Sequence, residues 1–265
     1  MAVDLYSNPS HKTSKIGWTT HTWNPVTGCD RISPGCKNCY ALATAERYRG
    51  SDGWPVGFDM QLRWKALDKP LRWKHPARIF VNAMSDLFHE WIPEDYLRMV
   101  WDVMLEVDRH IYQVLTKRAD VMLDRIARLQ LPLPPHIWIG VSVETQLFAD
   151  RRIPLLLDVP VEGVRFLSCE PLLGPLDLSS YLQGLHWVIT GGESGPGRRA
   201  AEYDWFRGVR DQCLQAGVPF YHKQGNARRP DRDRELDGRE WSEFPATGAR
   251  NEPEVWQPPQ QGALL

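Results

Sequence analysis

Six short runs of β-branched and aromatic residues recur along the chain, separated by segments of helical spacing, and this alternation limits the fold more than any other feature of the sequence. The runs cover residues 78–84, 110–116, 136–143, 164–168, 186–190 and 218–222. Each is short and apolar, as expected of strands covered on both faces. A seventh candidate, residues 19–23, precedes them. Between the runs, residues 93–108 open with a proline suited to a first helical turn and set Leu97, Val100, Met104 and Val107 on one stripe. Residues 119–129 do the same with Met122, Ile126 and Leu129, and residues 203–216 with Phe206, Val209 and Cys213 before a terminating Gly217. Strand followed by helix, repeated six or seven times, implies a parallel sheet. The expected fold is therefore α/β: a partial or complete parallel β/α barrel in a single domain, with an open doubly wound sheet as the alternative.

The barrel pattern occupies residues 1–225. Over 226–265 it stops: RRPDRDRELDGREW and NEPEVWQPPQQG are charged or Pro-rich and poor in apolar periodicity, so this extension reads as irregular surface wrapping or a loosely held tail. A length of 265 residues suits one barrel, and 42% hydrophobic with 25% charged residues at a net charge of −1 excludes both a disordered chain and a strongly basic nucleic-acid coat. There is no apolar stretch of membrane-spanning length, and MAVDLYSNPSHKTSK lacks the apolar segment of a signal peptide. The expectation is a cytoplasmic protein of a bacterial or phage-infected cell, with no membrane partner.

Five cysteines is an odd number, and three of them, Cys29, Cys36 and Cys39, fall within eleven residues. That suits a metal or cluster site in a reducing compartment better than a disulfide framework. Gly28, Pro34 and Gly35 turn the chain tightly, and the short Cys36–Cys39 spacing lets two sulfurs reach one centre. A helix expected over residues 40–48 would bring its N-terminus to the thiolates. Three thiolates can grip three corners of a 4Fe–4S cluster and leave one iron open. A structural zinc ion, which would need a fourth ligand such as the distant Cys169 or His21, is the alternative, followed by unligated thiols.

Polar residues gather where the strands end: Lys117, Glu144, Cys169 with Glu170, Gly191-Gly192-Glu193, and Lys223. In β/α barrels such positions converge on one mouth. Lys117, Arg118 and Lys223 suit phosphate or carboxylate groups, and Glu144 suits ribose hydroxyls. Cys213, on the apolar stripe of its helix, reads as core. The stretch Leu62-Arg63-Trp64-Lys65 recurs as Leu71-Arg72-Trp73-Lys74, which suits either nucleic-acid contact or a crossover whose tryptophans pack on the barrel.

The three cysteines, with Tyr40 directly after the last, set after a first strand and before a β/α series, resemble the radical S-adenosylmethionine (radical SAM) superfamily. More narrowly, GWTTHTWNPVTGC, SPGCKNCYA, LTKR, GVSVE, SCEPLLG and GGESG resemble a bacteriophage and bacterial family of uncharacterised proteins named for its three-cysteine motif, over roughly residues 15–225. The first inter-cysteine gap is longer than is usual in the superfamily. The resemblance implies a 4Fe–4S cluster whose open iron chelates S-adenosylmethionine and cleaves it reductively to a 5′-deoxyadenosyl radical, with electrons from a donor such as a flavodoxin or ferredoxin. It also implies that Gly191, Gly192 and Glu193 meet the amino group of S-adenosylmethionine, as a similar glycine-glycine-glutamate stretch does in the superfamily, although here it follows a late strand. Cys169 would then donate a hydrogen atom to a substrate radical, ligate the cluster, or only pack. The expected function is an iron–sulfur, radical SAM-like enzyme acting on a nucleotide, nucleic acid or other anionic substrate. Its rivals are a non-catalytic module stapled by zinc or a cluster that binds nucleic acid or protein, and a cluster enzyme that does not use S-adenosylmethionine.

Overall fold

The computed structural model describes Tyr6 and residues 11–195, 197–230 and 232–246. One sheet organises them. Its strands are β1 (His21–Trp23), β2 (Arg78–Val81), β3 (Ile111–Thr116), β4 (Ile137–Ser142), β5 (Arg165–Cys169), β6 (Trp187–Gly191) and β7 (Phe220–Gln224). Neighbours in the sheet follow chain order, and every pairing is parallel. A doubly wound sheet reverses its strand order at a switch point, and this sheet has no reversal. The first and last strands do not pair, so the sheet curls into a seven-stranded half barrel.

Helices α1 (Tyr40–Arg47), α2 (Glu94–Glu106), α3 (Ala119–Leu129), α4 (Gln146–Leu157) and α5 (Tyr203–Ala216) lie between the strands. Gly217 ends α5 in the left-handed conformation, at φ 70°, that glycine adopts without strain. The expectation of a helix after every strand fails once: between β5 and β6 the connection holds only a single 3-10 turn, Leu182–Gly184.

Alternation along the strands sorts side chains into two layers. Val81, Val114, Ile139, Leu167, Cys169 and Val188 face the helices and pack in the larger apolar core. Phe80, Trp138, Phe166, Trp187, Ile189 and Tyr221 face the concave side, where Trp18 and Phe244 join them. Trp187 is the hub of that inner cluster. Its ring lies 5.9 Å from Trp138, 5.9 Å from Phe166, 6.1 Å from Tyr221, 6.3 Å from Trp18 and 5.1 Å from Phe244, and its indole N–H donates to the Glu243 carbonyl at 2.8 Å. This aromatic cluster packs the concave side toward the N-terminal ends of the strands.

Residues 232–246 belong to this architecture. A small hairpin pairs Glu235–Leu236 with Arg239–Glu240. Leu236 and the following Trp241 are buried, with the Trp241 ring 6.0 Å from Phe220 and capped by Arg239. The Pro-rich end from residue 247 lies outside the described residues. Among the described residues no helix is long and apolar enough to cross a membrane.

Candidate functional site at the barrel mouth

At the C-terminal ends of the strands lies a cavity of about 1210 Å³, and Cys29, Cys36 and Cys39 all line it. The loop that carries them leaves β1 through Gly28, whose N–H donates to Met84 O at 3.2 Å and whose φ is 89°. A Cβ at that position would strike the Asp59 carbonyl, so only glycine fits. The loop tightens into a 3-10 turn at Pro34–Cys36 and enters α1 at Cys39, the residue capping the helix N-terminus. None of the three thiols is in a disulfide, and each is partly exposed. Among the described residues no three His, Cys, Asp or Glu side chains are drawn close enough together to hold one metal ion, so a bound centre would have to gather the thiols.

Two buried carboxylates fix the loop. Glu144, just beyond β4, is fully buried and accepts from Ser33 Oγ at 2.7 Å, from Lys117 Nζ at 3.2 Å and from Arg152 Nη1 at 2.9 Å. Burial opposes its ionisation, but Lys117 and Arg152 outweigh that and hold the carboxyl below its usual pKa. Gly35 lies against it so closely that a Cβ would come within 2.6 Å of Glu144 Cγ. Glu193, beyond β6, accepts from Asn38 Nδ2 at 2.8 Å and from the backbone N–H of Arg199 at 2.8 Å, and forms a two-pronged pair with the Arg199 guanidinium. Burial again opposes ionisation, and the Arg199 and Asn38 donors prevail, lowering the pKa. Arg199 also donates to Pro34 O at 2.9 Å. The segment between Ser33 and Asn38, with Cys36 inside it, is thus clamped from both sides.

Cys29 has a different setting. Its sulfur lies 3.6 Å from Arg118 Nη1, which also reaches Asp86 Oδ2 at 3.3 Å. Asp86 is held by Thr116 Oγ1 at 2.7 Å and by the Lys117 N–H at 3.0 Å. Burial pushes the Cys29 thiol up to about 12, with the Asp86 carboxylate adding to the shift and Arg118 opposing it. Across the mouth, Glu170 accepts from Lys223 Nζ at 2.7 Å, from Trp18 Nε1 at 3.2 Å and from Ser168 Oγ at 3.1 Å.

The structure brings together at the cavity Tyr40, Lys117, Glu170, Gly192, Glu193 and Lys223 with the three cysteines. Gly191 backs onto Glu170, where a Cβ would meet Oε1 at 2.8 Å. Two expectations need correcting. Cys169 is fully buried in the helix-side core, because Ser168 and Glu170 on either side of it take the cavity face; it reaches neither the loop nor the mouth. Glu144 has both oxygens engaged by protein donors and anchors the loop instead of offering itself to a ribose. Sequence reasoning missed Ser33, Asn38, Arg152 and Arg199, whose partners lie 111, 155, 8 and 6 residues away respectively. Cys213 packs in the helix-side core, as its stripe position predicts.

The fold and site define a class: a parallel α/β half barrel, packed with aromatic rings on its concave side, whose mouth presents a clamped three-cysteine loop. The chain belongs to the family described as "Protein of unknown function (DUF5131)", which matches residues 13–245. No curated protein and no solved structure matches the chain.

Proposed function

We propose that the chain is an iron–sulfur enzyme of the radical SAM kind, in which Cys29, Cys36 and Cys39 hold a 4Fe–4S cluster at the barrel mouth. The observation that carries the reading is three thiols on one clamped loop, all free of disulfides and all facing a single large cavity. That donor set suits a cluster with one open iron, and four-ligand structural zinc is disfavoured because Cys169 is buried in the helix-side core and His21 opens β1 at the far end of the strand, against Thr20 and Trp73. When bound, the cluster would supply reductive cleavage of S-adenosylmethionine, fed by a flavodoxin or ferredoxin.

The chain's own groups would divide the remaining work. Glu144 and Glu193 keep the loop in register so that Cys36 meets the centre. The Glu170–Lys223 pair, exposed by less than a fifth, presents a charge of each sign to whatever enters. The aromatic cluster around Trp187 would support the site from the concave side. A resident S-adenosylmethionine is tested by electron paramagnetic resonance of the anaerobically reconstituted, reduced protein. Adding S-adenosylmethionine shifts the spectrum as its amino and carboxylate groups enter the coordination sphere, and 5′-deoxyadenosine accumulates. A loaded cluster that does neither refutes the assignment.

A further inference from the structure

The connection from α1 to β2 forms a lobe that runs from the mouth, where Phe58 lines the cavity, down to the N-terminal ends of the strands, where Arg109 Nε donates to Trp73 O at 2.9 Å. Its parts hold one another: Arg49 reaches Asp59 at 3.6 Å, Arg63 Nη1 donates to Gly53 O at 2.6 Å, and residues Gln61–Leu62 pair with Val26–Thr27 at the root of the cysteine loop. Phe58 of the lobe and Tyr40 and Thr44 of α1 line the cavity. Tyr40, Thr44 and Tyr48 recur every four residues, so one helical stripe runs from the mouth toward the lobe. Tyr40 and Tyr48 are each 53% exposed and Trp64 is 58% exposed, the highest value among the large apolar side chains of the described residues.

Charge is concentrated on the same segment. Residues 47–74 hold seven Lys and Arg against three Asp, a net +4, whereas the rest of the chain holds 25 against 30, a net −5. Lys65, Lys69 and Lys74 are exposed and none of them is in an ion pair among the described residues. The two tryptophans of the repeated motif have separated: Trp73 packs inward, 4.8 Å from His21, while Trp64 leans on Tyr96 by one edge and leaves a broad face in solvent. Trp64 and the neighbouring Lys65 are both exposed, and Lys69 and Lys74 follow along the same segment, so the lobe offers solvent a ring and a line of cations.

We infer that this lobe binds single-stranded nucleic acid, stacking a base on Trp64 and neutralising phosphates with Lys65, Lys69 and Lys74, along a path that the Tyr40–Tyr48 stripe continues into the mouth. Flat exposed aromatics interleaved with flexible cations give sequence-tolerant binding of unpaired strands, whereas duplex bases cannot stack on a protein ring. The inference names the substrate class for the site proposed above, but it rests on the lobe alone and needs no cluster, so its failure and that of the enzyme assignment are separable.

The test is fluorescence anisotropy of a labelled oligothymidylate of roughly 16 nucleotides against the full chain without a cluster, between about 50 and 200 mM salt. Wild type binds the single strand more tightly than a duplex of equal length, and the logarithm of affinity falls linearly with the logarithm of salt. The K65A/K69A/K74A variant loses roughly 2 from that slope, about 0.7 for each phosphate contact. Trp64→Ala loses about tenfold in affinity with the slope unchanged. Thermal unfolding at the wild-type temperature shows that the triple variant is folded, and Trp64→Phe regains most of the affinity that Trp64→Ala loses. No binding at the lowest salt, equal affinity for duplex, or wild-type slope in the triple variant overturns the inference.

Discussion

Replacing Glu144 by Gln keeps the shape of the side chain and a partner for Ser33, and removes the charge that faces Lys117 and Arg152. At the observed separations of 3.2 and 2.9 Å, and at an effective dielectric constant of about 20, each pair gains roughly 5 kcal/mol before desolvation is counted. Desolvation returns most of that, and removing one partner of a buried pair costs about 3–5 kcal/mol. Lys117, 21% exposed, can turn toward the cavity after the change, whereas Arg152, 6% exposed, cannot. The loss is therefore expected at the lower end, about 3 kcal/mol, or a fall of roughly 6–12 °C in midpoint at about 2–4 °C per kcal/mol. The sign of the pH dependence follows from the lowered pKa of Glu144. Its contribution is complete above the unfolded value of about 4.3 and drains away as the pH falls through the lower folded value. Urea unfolding of the cluster-free protein at about pH 7 and again at about pH 4 should show the difference between wild type and Glu144→Gln narrowing in acid. Ser33→Ala, which removes one hydrogen bond to the charge, should cost about 1.5 kcal/mol. If Glu144→Gln unfolds within about 0.5 kcal/mol of wild type, the clamp is not what holds this loop.

Further outcomes follow from the same geometry. Gly35→Ala, whose Cβ would come within 2.6 Å of Glu144 Cγ, should displace the cysteine loop, lower iron loading and, by disturbing the Ser33–Glu144 bond, lower the unfolding midpoint by about 3–6 °C. Cys169→Ala and Cys213→Ala should each cost about 1 kcal/mol and leave iron loading intact, whereas Cys36→Ala should abolish it; iron analysis of the three variants separates these. Trp187→Ala should destabilise by about 3–5 kcal/mol in denaturant unfolding, because five ring contacts and the bond to Glu243 are lost together.

The strands were legible because each is a compact apolar run, and α3 and α5 because their stripes sit between a strand and a clear stop such as Gly217. Helix α4 was not read out. Pro154 lies inside it and Arg152 occupies its buried face, and that arginine is tolerated there only because Glu144 meets it. The same limit hid the clamp. Asn38 and Glu193 are polar residues with nothing local to pair them, and only the curl of the sheet across 155 positions brings them together. Cys169 shows what a strand-end pattern leaves open. The run at residues 164–168 marks a strand but not its phase, and a shift of one residue moves a side chain from the mouth to the helix layer.

The central claim is that the three thiols hold an iron–sulfur cluster. Its most direct measurement is iron, sulfide and zinc analysis of the anaerobically reconstituted chain, set against the same chain carrying Cys29→Ala, Cys36→Ala and Cys39→Ala together. The account predicts about four irons and about four sulfides per chain in the wild type and none in the triple variant. Stoichiometric zinc without iron, or equal iron in both proteins, would contradict it.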